Sequence, residues 1–238
     1  EFTATPAQAL AGLSREQVVG NLVQSGEWTA FLTRPYSKVP DPESEPHSIF
    51  VNVMDTHPLA PDPAVIVAPA MADFNNGLTV ISKLTRGKVF VCSAPDTPLD
   101  VAGGSIVHET FEGPHPAGLA GTHIHFLDPV NASKTVWTIG YQDVIAIGSL
   151  FTSGRKHMER VVSLAGPTVS NPRLLKTRLG ANLEQLTQGE LNGEDMRIIS
   201  GSVLGGRHAK NKVCFLGRYA RQVSVLEEGD HREFMGWL

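Results

Sequence analysis

The chain has 238 residues, 41% of them hydrophobic, and 20 Lys and Arg stand against 24 Asp and Glu for a formal net charge of −4. That length suits one large or two small domains with a well-stocked core. The balance of charge, with no basic run longer than Arg155-Lys156, excludes a protein that tracks nucleic-acid phosphates.

Taken in chain order, Ser14 to Gln17 (SREQ) has the form of a capping box. Glu16 sits in the first turn where the helix dipole favours an anion, and Gly26 is placed to close the helix. Leu13, Val18, Val19 and Leu22 supply its apolar stripe. Arg34 to His47 is rich in proline and acid and reads as a loop, and Ile49 to Met54 (IFVNVM) reads as a strand. The proline-rich HPLAPDP is a second connection. A helix is expected from about Pro69 to Arg86, stopped at Gly87, and a strand from Lys88 to Cys92. Strand, helix, strand in this order predicts a parallel α/β sheet. Ser105 to Phe111 and Thr135 to Ile139 read as further strands, and Gln142 to Thr152 as a helix closed by Gly154.

From Arg160 the pattern changes to shorter strands, RVVSLAG, RLLKTRLG, RIISGSVL, VCFLG and QVSVLEE, around a short helix capped by Asn182. Several strands with one helix suggest a small β-grasp-like module. Charge divides at the same place: residues 1–157 hold 9 basic and 15 acidic residues, residues 158–238 hold 11 and 9. The expected domains are therefore 1–157 and 158–238. Cys92 and Cys214 lie in apolar runs and are expected to be buried free thiols, giving no disulfide framework and no iron–sulfur or zinc spacing. There is no signal peptide and no apolar run near the length that spans a bilayer. The ends read as cuts in a longer parent protein.

Glu112 to Val130 (EGPHPAGLAGTHIHFLDPV) gathers His115, His123, His125, Gly118, Gly121 and three prolines into a nearly uncharged span. Such a span is read as a shaped loop or contact surface, neither regular helix nor strand. If it is a docking surface, Gly121 is expected to need backbone angles open to glycine alone. His108, His115, His123 and His125, with Asp128, raise a metal site of hydrolase type. On a strand His123 and His125 would share a face, and on a helix they would point apart. No HExxH is present, so histidines bonded to loop backbone are the commoner expectation. Gly201 to Gly206 mimics the outer glycines of a P-loop, but Arg207-His208 stands where Lys and Ser or Thr are needed. No GxGxxG follows a predicted strand and no GxSxG occurs. Trp28, Trp137, Tyr36 and Tyr141 lie near turns, where aromatics serve either as core or as a partner surface, and Asp143 reads as a helix N-terminal anion.

At PHPAGLAGTHIHFLDPVNASKTVW and the following YQDVIAIGSLFTSG, the chain resembles the NqrA family, one of the subunits of the sodium-translocating NADH:quinone reductase, a bacterial respiratory complex. The blocks SGEWTAFLTRPYSKVP, RVVSLAGPTVSNPRLLKTRLGA, RIISGSVLGG and FLGRYARQVSVLEEG agree with it in order. The resemblance implies the middle of that subunit: an α/β fold with a Rossmann-like, mostly parallel sheet domain followed by a small β-grasp (SLBB-like) domain. It implies a peripheral position at the cytoplasmic face of the inner membrane, reaching the membrane only through partner subunits. No redox centre is expected in the chain itself. NADH, flavins and iron–sulfur groups would belong to those partners, and ubiquinone to the full subunit. The surface proposed for a partner or for quinone is His115, Gly118, Gly121, His123, His125 and Tyr141. Two alternatives stay open at this stage, a metal-dependent hydrolase built on His108, His115, His123 and His125, and a flavin or nucleotide binder using an irregular loop.

Overall fold

The computed structural model describes residues 1–101, 103–193, 195–230 and 235–236. They fall into two compact units, Glu1–Thr56 with Asp62–Met158, and His57–Pro61 with Glu159–Leu238.

The first unit opens with α1 (Arg15–Ser25). The Ser14 hydroxyl accepts from the Gln17 N–H at 3.3 Å while the Gln17 side chain accepts from the Ser14 N–H at 2.9 Å, and Gly26 turns left-handed at φ 76° to end the helix. This is the reciprocal cap expected from the sequence. Strand β1 (Leu32–Arg34) has no periodic signal because it is three residues long. β2 (Ile49–Val53) follows, with every residue buried.

The helical run starts at Pro63, earlier than the pattern suggests. Asp62 accepts from the Ala64 N–H at 2.9 Å and Pro63 takes the first helical position, so part of the proline-rich connection is a helix start. α2 (Pro63–Val67) passes through a 3₁₀ turn into α3 (Met71–Ile81). Contrary to the sequence reading, Pro63–Leu84 is long and apolar enough by length and composition to cross a membrane. Here it is a packing element. A Cβ built on Gly77 would lie 2.0 Å from the Val144 carbonyl oxygen, and one on Gly148 would lie 1.8 Å from that of Asp73. Two glycines thus let α3 meet the later helix that carries Val144 and Gly148 backbone to backbone.

β3 (Val89–Ser93) and β4 (Ile106–Thr110) come next, then α4 (Ala120–Leu127), β5 (Val136–Gly140) and α5 (Tyr141–Ser153), which is α3's partner in that crossing. The sheet order is β1-β5-β2-β3-β4, parallel except for β1. β2 and β3 are buried throughout because helices cover both faces of such a sheet. Trp28, Phe31 and Trp137 form a ring cluster with centroids 5.4 to 5.7 Å apart, and Tyr141 is fully buried, so three of the four turn-adjacent aromatics are core. Tyr36 is the exception at 82% exposed. Cys92 is fully buried in β3, and burial, helped by the Glu109 charge, pushes its thiol up to about 12.

The second unit holds β6 (Glu159–Ala165), β7 (Arg173–Arg178), α6 (Leu183–Leu186), β8 (Met196–Ser200), β9 (Arg207–His208) and β10 (Gln222–Glu227). Their order is β7-β6-β10-β8-β9, with β6 and β10 parallel at the centre and the other pairs antiparallel. First and last strands side by side over one short helix is the β-grasp arrangement. Its core is Val162, Leu164, Leu183, Leu216, Val223 and Val225. VCFLG, expected as a strand, is not one. The Cys214 carbonyl accepts from the Leu183 N–H and the Leu216 N–H donates to Ala181, both at 2.8 Å, so this stretch bonds to the chain around α6 and not to a ladder.

Candidate functional site

In a doubly wound sheet, ligands gather at the carboxyl ends of the strands where the strand order reverses. Here the chain runs from β2 to β3 and β4 on one side and returns to β5 on the other, so the reversal falls between β2 and β5. The helix after each of these strands begins with a carboxylate. Asp62 caps α2, and Asp143, 8% exposed, lies in the first turn of α5 beside Gly140 and Gln142. Those positive helix ends are where a dinucleotide or flavin would rest its phosphates. Carboxylates already occupy them, and like charge would oppose a phosphate there. The residues present do not fit such a group.

The glycine- and histidine-rich segment lies over this same edge. Asn52 in β2 donates from Nδ2 to the Gly118 carbonyl at 3.0 Å, and the Gly118 N–H donates to Thr56 Oγ1 at 3.0 Å. The same Thr56 hydroxyl shares a second hydrogen bond with His115 Nδ1, 3.1 Å away, whose direction follows the histidine tautomer. A Cβ on Gly118 would stand 2.6 Å from the Thr56 nitrogen, so this contact requires glycine. Gly121 does not need to be glycine: it lies inside α4 with ordinary angles and nothing within 4 Å of its missing Cβ. The restriction expected there belongs to Gly118.

α4 is itself a correction to the expectation of an irregular segment over residues 120–127. The run AGTHIHFL holds mostly indifferent helix formers, but once Pro114, Pro116 and Gly118 are spent in the turns before it, Ala120, His123, Ile124 and Leu127 recur at helical spacing and give it an inward face. In a helix His123 and His125 diverge by roughly 200°. His123 is fully buried, its ring 4.2 Å from that of Phe111, and its Nε2–H donates to the Ala117 carbonyl at 2.8 Å. Burial pushes its pKa below the ordinary histidine value, outweighing that bond, so it is a neutral strut. His125 is exposed next to Phe126, which is 70% exposed. His108 pairs across strands with Ser93 Oγ at 2.8 Å. The four histidines occupy four different settings, and among the described residues no three His, Cys, Asp or Glu side chains are grouped to hold a metal ion. Of the residues named from the sequence, His115, Gly121 and His125 reach the surface, while Gly118, His123 and Tyr141 are buried beneath it.

Asp128 serves at the opposite, amino edge of the sheet. It takes Lys134 Nζ, Ser48 Oγ at 2.6 Å and His47 Nδ1 at 2.9 Å. Burial alone would raise its pKa, but these bonds overcome that and hold the carboxyl below its ordinary value. A cavity of about 550 Å³ opens beside it, lined by Glu45, His47, Arg86, Lys88, Phe90 and Leu127 among others. Sequence reasoning missed Asn52, Thr56, His47 and Ser48. Asn52 carries a legible signal, an amide inside an otherwise apolar strand, whereas Thr56 and Ser48 look like ordinary turn residues.

The sequence pattern described as NqrA second alpha/beta domain matches residues 13–156, and that described as NQRA C-terminal domain matches residues 161–211. Over its whole length the chain is similar to curated proteins named as the A subunit of Na(+)-translocating NADH-quinone reductase. Identity is 69% over 239 residues with that of Hahella chejuensis, covering 54% of that protein. It is 63% over 238 residues with that of Cellvibrio japonicus and 57% over 239 residues with that of Pseudomonas aeruginosa, covering 53% of each. The chain thus spans about half the length of the curated relatives it matches. Among solved structures, an NAD+-reducing [NiFe]-hydrogenase in the air-oxidized state aligns with a TM-score of 0.61 at 12% identity, over 94% of this chain and 49% of that one. At that identity the likeness is one of fold alone.

Proposed function

Because the chain belongs to the NqrA family of the Na(+)-translocating NADH-quinone reductase, we propose that it is the peripheral scaffold of that complex, without a redox group of its own. In this reading it lies at the cytoplasmic face of the bacterial inner membrane and is held there by partner subunits. Partners carry NADH, flavin and iron–sulfur chemistry and sodium translocation. The chain contributes its α/β part (1–157) and its β-grasp part (158–238) as docking bodies.

The observation that carries the reading is the carboxyl edge of the first sheet. The place where a phosphate would enter holds Asp62 and Asp143, and the segment above it is pinned by Asn52 and Thr56, with His115, His125 and Phe126 facing outward. A pinned, uncharged, partly aromatic surface suits a neighbouring protein or the ring of a quinone. Its test is photo-crosslinking in the intact complex from a benzoylphenylalanine at position 126. Adducts to another subunit, or protection by added ubiquinone, are expected. Turnover of NADH and quinone by the isolated chain would refute the scaffold reading.

A further inference from the structure

Between Met196 and Leu226 the second unit carries no Asp or Glu, yet it holds Arg197, Arg207, Lys210, Lys212, Arg218 and Arg221. The same stretch exposes an unusual run of large apolar side chains: Leu204 at 60%, Tyr219 at 47%, Phe215 at 45%, Val213 at 43% and Val203 at 38%. A strand pairing and two bonds between side chain and backbone link the segments that carry them. β8 and β9 form a hairpin with Val203 and Leu204 at its tip, Gly217 N–H donates to Ser200 Oγ at 2.8 Å, and Arg207 reaches the Phe215 carbonyl. Arg218 stacks over the Tyr219 ring with its guanidinium 5.9 Å from the centroid. Arg197 and Lys210 are set apart: Arg197 pairs with Glu228 at 2.6 Å, and the charge of Lys210 acts on the same carboxylate.

The hairpin tip is also shaped closely. Gly201 is left-handed at φ 109°, and a Cβ on Gly206 would fall 2.5 Å from both Ile199 Cγ2 and the Ser202 carbonyl oxygen. A fixed tip presents Leu204 with little ordering cost on association. Arginine, tyrosine, phenylalanine and leucine around one apolar point match the make-up of protein–protein contact centres, where arginine is favoured because it binds carboxylates in two-pronged fashion.

We propose that the face formed by Val203, Leu204, Arg207, Phe215, Arg218 and Tyr219 is a docking site for a partner protein that offers an apolar pocket ringed by Asp and Glu. The inference rests on membership of an assembled reductase and adds a second contact to it, carried by the β-grasp unit. Leu204 is the anchor and Arg207 takes a carboxylate at the rim.

The test uses the full-length protein expressed with the rest of the complex. Leu204→Glu with Arg207→Glu changes two exposed residues, so the folded unit should survive, which circular dichroism and the unfolding midpoint check directly. Co-purification of the other subunits should fall by about ten-fold or more, as for loss of a contact centre. In the wild-type complex, a zero-length carbodiimide should join Lys212 to an Asp or Glu of a neighbouring protein. If the wild type itself brings down no partners, the scaffold reading fails; if wild type and variant bring them down equally, only this docking site fails. Two other results overturn it while leaving assembly intact: a homodimer that the variant makes monomeric, and binding to phosphatidylglycerol vesicles, but not phosphatidylcholine ones, that the variant abolishes.

Discussion

Gly148→Ala sets two simple expectations of opposite sign against each other. In a solvent-exposed helix this change stabilises by about 1 kcal/mol, because alanine is the better helix former. In α5 the added methyl would stand 1.8 Å from the Asp73 carbonyl oxygen, 2.7 Å from the Gly77 nitrogen and 2.8 Å from the Asp73 carbonyl carbon. All three are backbone atoms of α3, so no side chain can swing aside. To reach even 3.0 Å from that oxygen the helices must part by about 1.2 Å, and a gap of that size forfeits about half or more of the dispersion well for the side chains between them. Phe74, Leu78, Ile81, Val144, Ile147 and Phe151 are the buried residues affected. Overpacking of this severity costs about 3 to 4 kcal/mol, leaving a net loss of roughly 2 to 3 kcal/mol after the propensity gain. Urea unfolding followed by tryptophan fluorescence measures it, since Trp28 and Trp137 are both core residues of this unit. Gly77→Ala should cost a similar amount, and the double variant clearly less than their total, since one separation relieves both clashes. A Gly148→Ala protein equal to or more stable than wild type would refute the close crossing.

Gly118→Ala, whose methyl would press on Thr56, should cost about 1 to 3 kcal/mol and free the His115 ring, seen as a shift of its imidazole resonances; Gly121→Ala, facing open space, should be neutral or stabilise by up to about 1 kcal/mol. Equal effects at both positions would overturn the pinning of the segment. The folded pKa of His123 lies below its unfolded value, so its contribution to stability is complete above about pH 6.5 and is lost as pH falls from there toward the folded pKa, at up to about 1.4 kcal/mol per pH unit. His123→Gln, which keeps a donor for Ala117, should flatten the decline of the urea midpoint between pH 7 and pH 5, and an unchanged slope would contradict a buried neutral ring.

Much of the first unit is legible in the sequence because its strands are continuous apolar runs and its helices carry their own punctuation, as at Ser14, Gly26 and Gly154. What escapes is short or disguised. β1 and β9, of three and two residues, exist only through their neighbours, and Asp62-Pro63 reads equally as a turn or a helix start. The histidine pair shows the limit most clearly: the spacing states what each conformation would do, but the choice of helix rests on the contacts of Phe111 and Ala117 with His123, distant in neither chain nor space yet invisible to periodicity. VCFLG fails as a strand for the complementary reason, since its backbone groups are taken by the chain beside α6. The acidic helix starts are readable as caps, but only the strand order places both at the reversal point.

A thiol that ionises only near pH 12 and sees no solvent is a latent clock. Alkylating reagents at neutral pH reach Cys92 only when the layer over its face of the sheet opens, where Ile124 of α4 packs with Phe50, Phe90 and Val136, so the labelling rate of this one atom counts openings of that layer. Comparing that rate in the free protein with the rate in the assembled enzyme would reveal whether assembly stiffens the interior of this body or merely borrows its surface.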